Sequence, residues 1–159
     1  MTDQEQGHEQ GHEQDQRVRF NEQVVEEFRA NKGVVGGPFA GMSLLLLTTR
    51  GARSGEPRTL PLAAVPVGDG GWAVFAANGG QPNRPGWYYN LVADPAVTVE
   101  FGAERFEAVA TEAQGAEREQ LWAAQLARVS VLADYQATAP GPIPVIVLTP
   151  QGRPVSSDA

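Results

Sequence analysis

Between Ser43 and Leu148 the chain is a succession of short apolar runs, each closed by glycine, proline, asparagine or aspartate. Runs of this length, rich in leucine, valine and aromatic residues, read as β-strands that must find their hydrogen-bond partners in one another. They fall at Ser43 to Thr49, Thr59 to Val67, Trp72 to Ala77, Val97 to Phe101, Arg105 to Thr111 and Pro144 to Leu148. Helical spacing is confined to three places. Phe20, Val24, Val25 and Phe28 recur on one side of the segment from Arg17 to Ala30, opposite Glu22, Gln23, Glu26 and Glu27. Trp87 to Ala93 makes a short helix stopped by Asp94-Pro95, and Gly115 to Arg128 a longer one with Leu121, Trp122 and Leu126 to bury. Six strands with few short helices predict a β-rich α+β fold, a small and mainly antiparallel barrel or sheet.

Composition narrows the chemistry. With a formal charge of −7 there is no broad basic face for nucleic acid. Cysteine is absent, which excludes disulfides, thiolate nucleophiles and cysteine-held metals. The only histidines, His8 and His12, sit in a Glu-Gln-Gly-His repeat over residues 1–16 that has no apolar residue to bury and reads as a disordered tail. They could share a helix face and hold a metal, but the glycines between them disfavour that helix, and no metal site is expected. A histidine-free body rules out a Ser-His-Asp triad, so difficult chemistry would belong to a cofactor. No signal segment and no run of about 18 apolar residues is found, which makes the cytoplasm the default. The folded domain is expected over residues 17–150, with a polar tail over 151–159. The first helix could lie on a membrane, but its acidic polar face favours packing on the protein body.

One stretch stands out against the acidic background. Arg50, Arg53, Ser54, Gly55 and Arg58 crowd a glycine-bearing turn between the first two strands. Arginine forks and exposed backbone N–H groups are what a phosphate or carboxylate requires. A solvated hairpin turn with charges for solubility explains the same residues equally well.

Four segments, taken in order, resemble the deazaflavin-dependent nitroreductase family, whose members use coenzyme F420. They are Leu46-Leu47-Thr48-Thr49-Arg50-Gly51-Ala52-Arg53-Ser54-Gly55 with Arg58 and Pro61; Ala76-Ala77-Asn78-Gly79-Gly80; Pro85-Gly86-Trp87-Tyr88-Tyr89-Asn90-Leu91 with Asp94-Pro95; and Asp134-Tyr135-Gln136 followed by Ile143-Pro144-Val145. The resemblance spans about residues 20 to 150. It implies a split β-barrel of the flavin-reductase type with F420 lying along a groove. Carried over by position, Arg50, Arg53, Ser54, Gly55 and Arg58 would hold the cofactor's phosphate and acidic tail. Pro61, Leu62 and Ala76, Ala77, Asn78, Gly79 and Gly80 would line the deazaflavin ring. Trp87 would pack beside the ring or serve the core, Asn90 would hydrogen-bond the loop, and Tyr135 would face the substrate and orient or protonate an acceptor. Two departures stand out: Arg84 precedes Pro85 where the family often has histidine, and no arginine lies between Ala137 and Pro142.

The implied activity is hydride transfer from reduced F420 to a quinone-like, nitro or other conjugated small-molecule acceptor. The alternatives are a non-catalytic carrier of F420 or another hydrophobic ligand, and a relative that uses FMN. Split barrels often pair, so a homodimer is compatible with this reading. A quinone acceptor would suit weak peripheral membrane contact through the helix at 20 to 28.

Overall fold

A computed structural model describes residues 16, 19–37, 43–68, 70–77, 85–139 and 141–152. The repeat tail up to residue 15, the candidate residues Asn78, Gly79 and Gly80, and residues 153–159 lie outside the described residues. Helix α1 covers residues 19–30. Strands β1 (Leu44–Arg50), β2 (Pro57–Ala63), β3 (Val65–Val67) and β4 (Gly71–Phe75) follow, then α2 (Gly86–Ala93). Strands β5 (Ala96–Phe101) and β6 (Glu104–Glu112), helices α3 (Gly115–Arg128) and α4 (Val131–Thr138), and β7 (Val145–Pro150) complete the chain.

The seven strands form one sheet in the order β2-β1-β5-β6-β7-β4-β3, and every neighbouring pair is antiparallel. Its two edge strands, β2 and β3, are separated in sequence by Ala64 alone. A flat sheet would set its edges far apart, so the sheet must curl until they meet at that residue. The buried Ala64 marks the corner, where its N–H donates to Ser43 O at 2.9 Å. The run from Thr59 to Val67, expected as one strand, is therefore split between two, because its halves pair with β1 and β4 on opposite sides of the barrel.

Alternation of side chains builds two cores from single strands. On β1, Leu45 and Leu47 enter the barrel with Trp72, Val74, Val99, Ile146 and Leu148. Leu44 and Leu46 point outward against Val24 and Phe28 of α1. Val24 and Phe28 of the apolar stripe of α1 are thus used in packing on the protein body. Phe20, on the first turn, stays 41% exposed. A third cluster sets Leu121 and Trp122 of α3 over Ala73 and Val145 on the outer face of β4 and β7. No helix among the described residues is long and apolar enough to cross a membrane.

Because neighbouring strands alternate in direction, the sheet has two distinguishable rims. One gathers the end of β1, the start of β2, the end of β4 with Ala76, the end of β6 with Ala113, and Pro144 before β7. The other gathers the β5–β6 turn at Gly102 and the start of β4. There Gly33 approaches the Gly102 backbone so closely that a Cβ would come within 2.8 Å of its Cα.

Candidate functional site

The arginine turn closes the first rim. Gly51 N–H donates to Glu56 O at 2.8 Å, Gly55 N–H to Gly51 O at 2.9 Å, and Glu56 N–H to Ser54 Oγ at 3.1 Å. Gly55 has φ +74°, a backbone conformation natural to glycine. These bonds leave the Arg53 and Ser54 N–H groups without a partner among the described residues. Ser54 Oγ already accepts one bond, so its O–H remains to donate. Arg50, Arg53 and Arg58 are exposed, and none forms an ion pair among the described residues.

Helix α2 is tied to this turn. Asn90 Oδ1 accepts from Ala52 N–H at 3.0 Å, and Asn90 Nδ2 donates to the buried Thr49 Oγ1 at 3.1 Å. The N-terminus of α2 begins after Pro85, with no side-chain cap and no acidic residue in its first turn. Gly86, Tyr89 and Asn90, spaced three and four apart on one helix face, join Gly51, Ala52, Arg53, Ser54 and Arg58 around a hollow of about 390 Å³. Arginine forks, unpartnered N–H groups and the positive end of a helix dipole converge there. The donor set fits an anion such as a phosphate diester or carboxylate. A hairpin carrying charge only for solubility would need none of the link to α2.

The other expected residues separate. Pro61 pairs with Leu46 and so faces the α1 side, whereas Leu62 pairs with Leu45 and faces the barrel interior. Adjacent strand residues cannot both present side chains to one ring. Leu60, which sequence reasoning passed over, shares the barrel face with Leu62. Ala76 is buried and Ala77 half-buried where β4 ends, with Ala76 N–H donating to Pro144 O at 3.0 Å. Trp87 is only 6% exposed and belongs to the main core with Leu91. Arg50 and Gly55 belong to the turn but not to the lining of the hollow. Tyr135 is half-buried on α4, whose main packing partner is α3, not the arginine turn.

A second hollow on the same rim, about 410 Å³, lies on the other side of α2, against Tyr88, Glu112 and Arg118. A larger one of about 710 Å³ sits at the far rim, near Arg29, Glu100 and Gly102. Size does not make it the site. Arg29 forks onto Glu100 at 3.0 and 2.8 Å, so that cation is already engaged. The hydrogen bond to Glu100 raises the Arg29 pKa further, against a smaller opposing effect of partial burial. Among the described residues there is no cluster of histidine, cysteine or carboxylates able to hold a metal.

A curled antiparallel barrel with a cation-rich turn tied to a helix on one rim defines a protein of the split-barrel class. The sequence profile of the F420H(2)-dependent quinone reductase family matches residues 19–150, and the chain belongs to that family. It is accordingly an oxidoreductase whose coenzyme is reduced F420, acting as hydride donor. The F420H(2)-dependent quinone reductase Rv1261c of Mycobacterium tuberculosis is 38% identical over 129 residues, covering 77% of this chain and 84% of that protein. Among solved structures, the F420-H2 dependent reductase FDR-A is 36% identical with a TM-score of 0.61, covering 67% of this chain and 93% of its own. A chain described as a domain-swapped dimer is 33% identical with a TM-score of 0.63, covering 84% of this chain and 97% of its own.

Proposed function

We propose that this chain reduces quinones with hydride from F420, and that the arginine turn and the start of α2 hold the coenzyme's anionic part. The observation that carries the assignment of residues is the junction at Asn90, which fixes a cation-rich turn against a helix N-terminus. Arg53 and Arg58 would fork onto phosphate and carboxylate oxygens, with Ser54 Oγ and the Arg53 and Ser54 N–H groups completing the set. Ala76 and Ala77, where β4 ends on the same rim, would give the ring an apolar wall, while Leu60 and Leu62 pack into the barrel interior behind it. Trp87 would support that wall from the core. When bound, reduced F420 supplies the hydride. The chain itself needs only to align donor and acceptor and to stabilise charge on the acceptor, which suits a body without histidine. FMN, with a phosphate but no acidic tail, would engage fewer of these cations.

The cytoplasm is the compartment this reading assigns, and the swapped relative supports pairing, which light scattering on the purified chain would measure. The decisive test is a fluorescence titration with F420 and with FMN at low and moderate salt, for the wild type and Arg53→Ala. F420 affinity should fall by about tenfold or more with either salt or the substitution, and FMN affinity far less. Equal affinity for both, indifferent to salt, would remove the turn from the coenzyme site. An anaerobic assay with reduced F420 and a quinone then separates a reductase from a carrier.

A further inference from the structure

We propose that the hollow between α2 and α3 is the acceptor site, and that Arg118 takes the acceptor oxygen. The proposal rests on the coenzyme placement above and adds the position of its reaction partner. Ala76 lies on the expected ring wall, and its N–H donates to Pro144 O. Pro144 also lines the hollow, so the two sites share a wall. The first turn of α2 separates them: Gly86, Tyr89 and Asn90 face the arginine turn, while Tyr88 faces the hollow.

The lining suits a flat conjugated carbonyl compound. Ala113, Pro142, Pro144 and the Tyr88 ring supply apolar walls, and the volume of about 410 Å³ accommodates a small bicyclic quinone. Tyr88 is held by its hydroxyl, which donates to Glu112 Oε1 at 2.9 Å. Arg118 is held in two ways. Its Nη2 donates to Ile143 O at 2.8 Å, and its guanidinium carbon lies 5.4 Å from the Trp122 ring centre. A half-buried guanidinium has five N–H donors, and the bond to Ile143 uses one of them. Such a fixed cation is suited to charge that appears only as the acceptor is reduced. In the balanced step the hydride pair from the coenzyme reduces the quinone, and the negative charge develops on its oxygen beside Arg118. One proton from solvent then completes the hydroquinone.

The test compares wild type, Arg118→Gln, Arg118→Lys and Gln114→Trp, the last an exposed position on the hollow's lip. Binding of 1,4-naphthoquinone is read by tryptophan quenching without coenzyme, F420 binding by its own fluorescence, and kcat and KM in the anaerobic assay. Arg118→Gln should lower kcat by about a hundredfold and weaken naphthoquinone binding severalfold, with F420 affinity unchanged within about twofold. Arg118→Lys should recover part of kcat, because it keeps the charge and loses the fork. Gln114→Trp should raise the quinone KM with Arg118 intact. Unchanged naphthoquinone binding and kcat in Arg118→Gln would overturn the proposal. So would a loss of F420 affinity matching that of Arg53→Ala, which would give the hollow to the coenzyme. Failure of the wild type to bind F420 would instead sink the coenzyme reading, while the naphthoquinone titration would still report on the hollow.

Discussion

Asn90 joins two elements into one site with a single side chain. Its amide oxygen holds the Ala52 N–H and its nitrogen holds Thr49, which is 2% exposed. Replacing it by alanine removes both bonds and leaves a buried hydroxyl to find another partner, a loss of about 1–3 kcal/mol in stability. Asn90→Asp is the sharper probe. A carboxylate can still accept from Ala52 N–H and from the Thr49 hydroxyl, so the fold should hold with a melting temperature within a few degrees. It also sets a negative charge on the rim proposed to hold the coenzyme's anionic part. F420 affinity should fall by about tenfold at low salt, and the gap to wild type should narrow as salt rises. The asparagine was legible in the sequence through its place in the segment Pro85 to Leu91 that carries the family resemblance. Its pairing with Thr49 was not, because the contact spans 41 positions and nothing local marks it.

Among the elements, β4 begins one residue earlier than the expected start at Trp72. Gly71 closes the Gly68-Asp69-Gly70-Gly71 series, yet it is the buried first residue of the strand and pairs with Val67. A Cβ there would sit 2.6 Å from the Leu148 carbonyl oxygen, a backbone atom that cannot swing aside. Gly71→Ala should therefore destabilise the protein by about 1–3 kcal/mol, seen as a lower urea midpoint, with F420 affinity of the folded fraction unchanged. Helix α3 shows the converse. Its boundaries, Gly115 to Arg128, follow from periodicity, but Leu121, Trp122 and Leu126 are half-buried and Gln125 is the buried residue. Periodicity identifies a face and says nothing of how deeply a neighbour covers it. Helix α4 carries little amphipathic signal and was legible only as the Asp134-Tyr135-Gln136 motif. Its Gln136 holds the approach to β7, donating to Gly141 O and accepting from Ile143 N–H, both at 2.9 Å.

Closure of the barrel turns on the corner between its edge strands. Ala64 is 3% exposed, and its N–H is the bond that ties the bend to Ser43. Ala64→Pro removes that donor where a side chain has no room to move. Unfolding in urea should shift to lower concentration by the equivalent of about 3 kcal/mol, with tryptophan fluorescence and sheet circular dichroism shifting together. Independent transitions for the two signals would mean that the halves of the sheet do not depend on this corner. The open edges carry their own protection: Pro57 and Pro61 on β2 and Pro66 on β3 lack the N–H that an incoming strand would pair with.

The alternation of apolar runs and turn signals was enough to establish a β-rich antiparallel domain, and the arginine turn was enough to suggest an anion. Both are local properties: strand period, turn chemistry and charge density are written in neighbouring residues. The segment pattern of a cofactor-using family was likewise readable, since motif order survives without coordinates. Tertiary structure alone decided that one continuous run serves two opposite edges, because only the curl of the sheet gives its halves different partners. It alone turned Leu62 and not Pro61 to the barrel interior, drew Trp87 into the core, and set Arg118 over Trp122 beside Pro144. Those outcomes depend on which strands become neighbours, and hydrogen-bond partners far apart in sequence leave no mark on the residues between them.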